Sequence, residues 1–94
     1  MYVRLVQFSF GAGSLSKAQE LAADLGPAIR EQHGCKGVTF FGDETGGDYG
    51  LFVLWETKDD ADAAAPVIGP RLQHRLAGNV TGPPSINLYA VIDS

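Results

Sequence analysis

The segment Val38–Trp55, VTFFGDETGGDYGLFVLW, is the part of the chain that decides the fold. Its two ends, Val38–Phe41 and Tyr49–Trp55, are apolar and rich in aromatic residues, as β-strands are. The stretch between them, Gly42–Asp48, is polar and rich in glycine, which is typical of a loop. Two such strands joined by a loop predict an antiparallel hairpin.

An amphipathic helix is predicted on the N-terminal side of this hairpin. Its apolar residues recur at three- and four-residue steps, which indicates one buried face: Ala18, Leu21, Ala22, Leu25 and Ile29. Ser16 and Gln19 have the spacing of a capping box, so the helix is predicted to start there. Pro27 lies on the polar side, where we expect it to kink the helix rather than end it.

A second helical region is predicted after the hairpin, with Thr57 as its N-terminal cap. Because prolines interrupt it at positions 66 and 70, we expect two short pieces, near Lys58–Ala65 and near Pro70–Ala77. Further strands are predicted at the two ends of the chain, at Tyr2–Phe10 and Ile86–Ile92.

The resulting order over residues 1–94 is strand–helix–strand–strand–helix–strand, in one α+β domain. Right-handed crossovers fold this order into a four-stranded antiparallel sheet with both helices on one face. The predicted architecture is therefore the ferredoxin-like βαββαβ fold.

Both faces of the predicted sheet are apolar, although the helices can cover only one. On the first strand, Val3 and Leu5 lie on the face opposite to Val6 and Phe8. On the third strand, the two faces likewise both carry apolar residues: Leu51, Val53 and Trp55 on one, and Phe52 and Leu54 on the other. The uncovered face needs a partner, and a second copy of the same sheet is the simplest one. We therefore expect a homodimer joined through the sheet faces.

Composition excludes several classes of protein. The 94 residues carry a net charge of −4, which argues against nucleic-acid binding. No apolar stretch is long enough to predict a membrane-spanning helix. Cys35 is the single cysteine, so neither an internal disulfide nor a cysteine-rich zinc site can form. Met1–Phe10 has strand character and no cleavable small-residue site follows it, so we expect a cytoplasmic protein.

Three segments resemble the dimeric α+β barrel superfamily, and within it the antibiotic biosynthesis monooxygenase-type domains: Tyr2–Phe10, Pro27–Val38 and Phe52–Thr57. His33 stands where that family often has proline. The resemblance covers nearly the whole chain. It implies a homodimer with facing sheets and, in each protomer, a small-molecule pocket between sheet and helices.

Some members of the superfamily are cofactor-independent oxygenases of polycyclic aromatic compounds, and others degrade haem. The haem-degrading branch uses an Asn, a Trp and a His, and the corresponding positions here hold Val6, Ala64 and His74. Only the histidine matches, which argues against haem chemistry. The resemblance thus implies a monooxygenase of small aromatic or quinol-type compounds that needs no metal, flavin or other cofactor. The alternative is a non-catalytic dimeric module that binds a small apolar ligand or serves a stress-response role.

His74 is the candidate catalytic residue. It lies within one helical turn of Arg71 and Arg75, and such a group could hold a carboxylate or phenolate while His74 acts as acid or base. The alternative is a solvated helix face, because His74 would point away from a buried stripe formed by Leu72 and Leu76.

Arg4, Trp55 and Tyr89 are the candidate substrate-binding residues. Arg4 is a charge on an apolar strand, so it must meet an acid such as Glu56, a ligand anion, or the sheet edge. Trp55 could stack on a planar ligand or fill the core of the dimer. The Tyr89 phenol could bind a ligand or the backbone. No metal site is predicted, since the acidic cluster Asp59–Asp62 has the position of a helix N-terminus.

Overall fold

The predicted order of helices and strands is confirmed in the computed structural model, which describes residues 1–94. The elements are β1 (Tyr2–Ser9), α1 (Leu15–Arg30), β2 (Cys35–Asp43), β3 (Asp48–Trp55), α2 (Lys58–Leu76) and β4 (Ser85–Ala90). The sheet has the strand order β2-β3-β1-β4, and every neighbouring pair is antiparallel. This is the ferredoxin-like α+β arrangement.

The hydrophobic core lies between the sheet and the two helices. Alternate residues of β1 and β3 face the helices and are buried: Val6, Phe8, Tyr49, Leu51, Val53 and Trp55. The helices meet them with Leu21, Leu25 and Ile29 of α1 and with Ala61, Ala64, Leu72 and Leu76 of α2. The period of two in the strands and the 3.6-residue period in α1 thus produce one shared core.

The start of α1 differs from the prediction. The helix begins at Leu15 with Ser14 at its N-cap position, so the capping box predicted from Ser16 and Gln19 is wrong. The Ser14 hydroxyl donates to the Phe10 carbonyl at 3.1 Å and does not cap the helix. Gly13, which adopts a φ of +76°, turns the chain directly into the helix, and this tight turn places the first helical residue early.

Helix α2 is one continuous helix of 19 residues, so the prediction of two pieces is also wrong. Pro66 and Pro70 lie four residues apart and are both exposed. The carbonyl groups that these prolines leave without a backbone donor are therefore on the outer face of the helix, where water can satisfy them. Thr57 caps the helix as predicted, since its Oγ1 accepts from the Asp60 backbone N–H at 3.1 Å. Pro27 likewise lies exposed within the unbroken α1.

The hairpin between β2 and β3 is tighter than the sequence suggested. Only residues 44–47 separate the two strands. The Asp43 carboxylate accepts from the Thr45 backbone N–H at 3.0 Å, and the Asp43 carbonyl accepts from Gly47 at 2.7 Å. Gly47 has a φ of +77°, a conformation that a side chain would disfavour, which explains glycine at this point of the turn.

The face of the sheet away from the helices carries apolar side chains. They include Val3, Leu5, Phe41, Phe52, Leu54 and Tyr89, three of which are exposed aromatic residues. Phe52 is 39% exposed although it lies on the internal strand β3. Neither α1 nor α2 has the combination of length and apolar character that a membrane-spanning helix requires.

Candidate functional site

A cavity of about 150 Å³ lies between α2 and the sheet. Eleven of its thirteen lining residues are hydrophobic. The sheet contributes Val6, Leu51, Val53, Trp55 and Ile86, α1 contributes Ile29, and α2 contributes Ala61, Ala64, Ala65, Ile68, Gly69 and Leu72. Only one lining residue, Arg4, is charged.

The small residues of α2 explain why this space is open. Where a helix packs on a sheet, large side chains normally fill the gap between them. In α2 the positions above the sheet hold Ala61 and Ala64, both of which are buried, while the larger Leu72 and Leu76 come two turns later. The inner face of α2 from Ala61 to Leu72 therefore covers the cavity, and Leu72 and Leu76 also pack in the core.

Arg4 lies at one side of the cavity, on the helix-facing side of β1 opposite Val53 and Leu88. Its side chain is 24% exposed, and the nearest carboxylate is Asp62 on α2 at 3.9 Å. Glu56, the partner suggested by the sequence, instead binds Lys36 at 2.7 Å. Arg4 is thus a cation beside an apolar space with one distant ion-pair partner.

Trp55 lies at the end of β3 and also lines the cavity. It is only 3% exposed within the single chain, because it faces the helices. It therefore belongs to the protomer's own core, and the expectation that it fills the core of a dimer is wrong. Its indole Nε1 is buried without a hydrogen-bond partner, as is the hydroxyl of Tyr49 near the start of β3.

Tyr89 and Arg4 do not share a site within the protomer. Tyr89 lies on β4 opposite Val3 and is 52% exposed on the face away from the helices. Arg4 occupies the next position after Val3 and therefore points to the other face.

His74 lies outside the cavity as well. It is exposed on the last turn of α2 and borders a separate polar groove together with Lys17 and Asp24. Its neighbours Arg71 and Arg75 both bind Asp24 of α1, the latter through Nε at 3.0 Å. The two arginines of α2 are thus already paired with a carboxylate of the same chain, and these ion pairs link α2 to α1. Of the four predicted site residues, the structure brings together only Arg4 and Trp55.

Solved structures with this architecture are numerous. A protein from Deinococcus radiodurans provisionally assigned as an antibiotic biosynthesis monooxygenase superposes with a TM-score of 0.81 at 18% identity, over 100% of this chain and 95% of its own. SnoaB, a cofactor-independent oxygenase from Streptomyces nogalater, gives 0.79 at 16% identity, over 99% and 94% of the two chains. The haem degrader MhuD from Mycobacterium tuberculosis gives 0.76 at 21% identity, over 100% and 98%.

This chain has the antibiotic biosynthesis monooxygenase fold. The resemblance suggested by its sequence is thereby confirmed for the architecture. No family model and no curated protein matches the sequence. At identities of 13–21%, the structural likeness establishes the fold and not the reaction.

Within this fold, MhuD holds two haems in its active site. The cavity of the present chain does not suit haem. Its volume of about 150 Å³ is that of a cavity that accommodates a single benzene ring, far smaller than a tetrapyrrole. Its lining contains no histidine, cysteine, methionine or tyrosine to bind the iron. Val6 and Ala64, which the sequence resemblance matches to the Asn and Trp positions of the haem-degrading branch, both line this cavity.

Several lining residues were not singled out in the sequence. Ile86 is predicted only as the start of the last strand and Ala64 only as the counterpart of a Trp in the haem-degrading branch, while Ala61 is not among the predicted residues. A signal was present, because alanines occupy the inner face of α2 where a helix on a sheet normally presents larger side chains. Tyr49, which is buried at the other end of β3 and does not line this cavity, was not singled out either. Burial raises the pKa of its phenol, and the negative charges of Glu44 and Asp43 act in the same direction.

Acid stability is expected to depend on Asp24. Hydrogen bonds from Arg75 and then from Arg71 hold the pKa of Asp24 below its usual value of 3.8. A depressed pKa in the folded state stabilises the fold above the unfolded-state value and is lost as the pH falls through the folded-state value. We therefore expect Asp24→Asn to lower the urea midpoint at pH 7 and to make the loss of stability below about pH 4 shallower.

The measurement is a series of urea denaturation curves between pH 7 and pH 2.5. Glu20→Gln is the matched control, because Glu20 borders the same groove and has no ion pair with these arginines. An unchanged acid slope in Asp24→Asn would show that the ion pairs across the helices contribute nothing to folding.

Proposed function

We propose that this protein binds a small aromatic or apolar compound in the cavity beneath α2. The observation that carries this proposal is an apolar cavity of about 150 Å³ with a cation at its side. Protein interiors are close-packed, so a cavity of this size is unusual in a protein of 94 residues. An unfilled cavity costs stability in proportion to its volume, so a persistent one favours a binding role. The binding roles of Arg4 and Trp55 are part of this proposal.

We further propose that two copies of the chain associate through their sheets. The support is the apolar face that carries Phe41, Phe52 and Tyr89, each at least 39% exposed in the single chain. Exposed aromatic residues on the open side of a sheet are typical of an interface. In this arrangement Tyr89 is an interface residue.

Binding can be measured with toluene as the probe, since the protein has one tryptophan and it lines the cavity. We expect toluene to change Trp55 fluorescence and to raise the melting temperature by mass action. Ala64→Leu is expected to abolish both effects by filling the cavity, whereas Ala63→Leu is the control because Ala63 is exposed on the same helix. No response of the unaltered protein to toluene would contradict the proposal.

A cofactor-independent monooxygenase of small aromatic or quinol-type compounds is the second candidate function. It is favoured by the fold shared with SnoaB, a cofactor-independent oxygenase. Chemically, the Arg4 guanidinium could stabilise a phenolate that donates electrons to O₂. One oxygen atom would replace hydrogen on a ring carbon and the other would leave as water, while the hydroquinone itself is oxidised to the hydroxyquinone and so supplies all the electrons. A non-catalytic binding module is the alternative, and it predicts toluene binding without oxygen consumption.

Oxygen uptake with a panel of single-ring hydroquinones separates these two functions. The catalytic role of His74 stays a prediction, tested in the same assay with His74→Gln. Because His74 is exposed, this substitution is expected to leave the melting temperature within about 2 °C of the parent. Loss of uptake at unchanged stability would support His74 as the base, and unchanged uptake would assign it to the solvated surface.

A further inference from the structure

The shape of the cavity limits the ligand to one ring. Its inner wall is formed by Val6, Leu51 and Trp55, none of which is more than 3% exposed. Its mouth is formed by Ile86, which is 50% exposed, and by Gly69, which is exposed on α2 with open space beside it. A cavity of about 150 Å³ holds a benzene-sized body, so one ring fills it.

The charge beside the cavity selects the substituent. Arg4 is the one charged lining residue, and its contact with Asp62 at 3.9 Å is too long for a hydrogen bond. Asp62 itself binds Lys58 at 2.9 Å. The acid nearest to Arg4 is thus already neutralised by a closer cation, which leaves the Arg4 guanidinium able to accept another anion.

Resting on the binding function proposed above, we infer that the ligand is a single-ring aromatic carboxylate, with its ring in the cavity and its carboxylate on Arg4. A carboxylate matches the two parallel N–H groups of a guanidinium. When the ligand carboxylate replaces Asp62 as the partner of Arg4, Asp62 keeps its ion pair with Lys58. Both Asp62 and Arg4 therefore still have a partner of opposite charge. The apolar wall contacts the ring, and Arg4 binds the carboxylate. Because Arg4 is partly exposed, the carboxylate keeps part of its hydration when it binds.

Benzoate and benzamide form the decisive pair of probes, because they have nearly the same shape and differ in charge. We expect benzoate to bind about tenfold more tightly than benzamide, as measured by Trp55 fluorescence and calorimetry. This preference should weaken as the salt concentration rises, since Arg4 is partly exposed. The comparison uses the unaltered protein and does not depend on any variant folding.

Substitutions then assign the preference to Arg4. In Arg4→Gln the affinity ratio of benzoate to benzamide is expected to fall to about one, and in Arg4→Lys to an intermediate value, because lysine keeps the charge and loses the paired N–H groups. Arg30→Gln is the control, because it removes one positive charge as Arg4→Gln does, but Arg30 is exposed on α1 and does not line the cavity. Asp62→Asn is expected to tighten benzoate binding about two- to fivefold by removing the competing carboxylate, whereas Asp59→Asn should not.

The outcomes distinguish this inference from the proposed function. Equal affinities for benzoate and benzamide, with toluene still bound, would overturn the carboxylate ligand and leave the binding function standing. A benzoate preference that survives in Arg4→Gln would show that another group holds the anion and would equally overturn the inference. Failure of toluene to bind would instead contradict the binding function itself.

Discussion

Trp55→Ala is expected to lower the free energy of unfolding by about 3–5 kcal/mol, the usual cost of deleting a large aromatic core residue. Trp55 is 3% exposed and packs between the end of β3 and the helices. Removing it merges a new void with the existing cavity, so little of the loss can be recovered by collapse. Urea unfolding followed by circular dichroism measures the effect, because the substitution removes the only tryptophan.

Trp55→Phe is the matched comparison. It keeps an aromatic ring and removes the indole N–H, which is buried without an acceptor in the chain. An unpaired buried donor is itself destabilising, so we expect Trp55→Phe to cost less than half as much as Trp55→Ala. A loss below about 1.5 kcal/mol in Trp55→Ala would contradict the central position of Trp55 in the protomer core.

Phe52→Asp is expected to convert a dimer of about 20 kDa, twice the 10.0 kDa chain, into a monomer. Phe52 lies on β3 with Leu5 and Thr39 as its neighbours across the sheet, on the face that we propose is shared by two copies. A two-fold interface would bury the introduced carboxylate twice, once from each copy, without a cation to pair it. Light scattering at micromolar concentration measures the mass, and circular dichroism checks that the fold persists.

Val67→Asp is the control for this prediction. Val67 is also an exposed apolar residue, 49% exposed, but it lies on α2 on the other side of the sheet. It should leave the mass unchanged. A mass of about 10 kDa for the unaltered protein would contradict the proposed dimer directly, as would a Phe52→Asp variant that remains a dimer.

Much of the architecture could be read from local patterns. The apolar stripe of α1, the alternation on β1 and β3, and the Thr57 cap each depend on residues only a few positions apart, and all three are present in the structure. The errors arose where two local signals competed. Pro66 and Pro70 favoured a break in α2, but both lie on the solvated face, and packing of the inner face on the sheet keeps the helix continuous.

The candidate site was less accessible to such reasoning. Arg4 could be predicted because it is a charged residue on an otherwise apolar strand. Trp55 could be predicted because a tryptophan at the end of an apolar strand can stack on a planar ligand. That they border one cavity, while His74 and Tyr89 lie elsewhere, depends on distances between β1, β3, α2 and β4. The pairing of Arg4 with Asp62 rather than Glu56 depends likewise on how α2 crosses the sheet.

The amino-acid sequence thus specifies the helices, the strands, their order and the two apolar faces of the sheet, because hydrophobic periodicity and turn chemistry act over short stretches of chain. The cavity, and the pairing of its one charged residue Arg4 with Asp62, depend on how α2 packs on the sheet. Ala61 and Ala64 of α2 line this space together with Val6 of β1 and Trp55 of β3, which belong to other elements of the fold. A void is a property of the gap between packed elements, so it depends on how α2 lies across β3 and β1 and not only on the residues of each element.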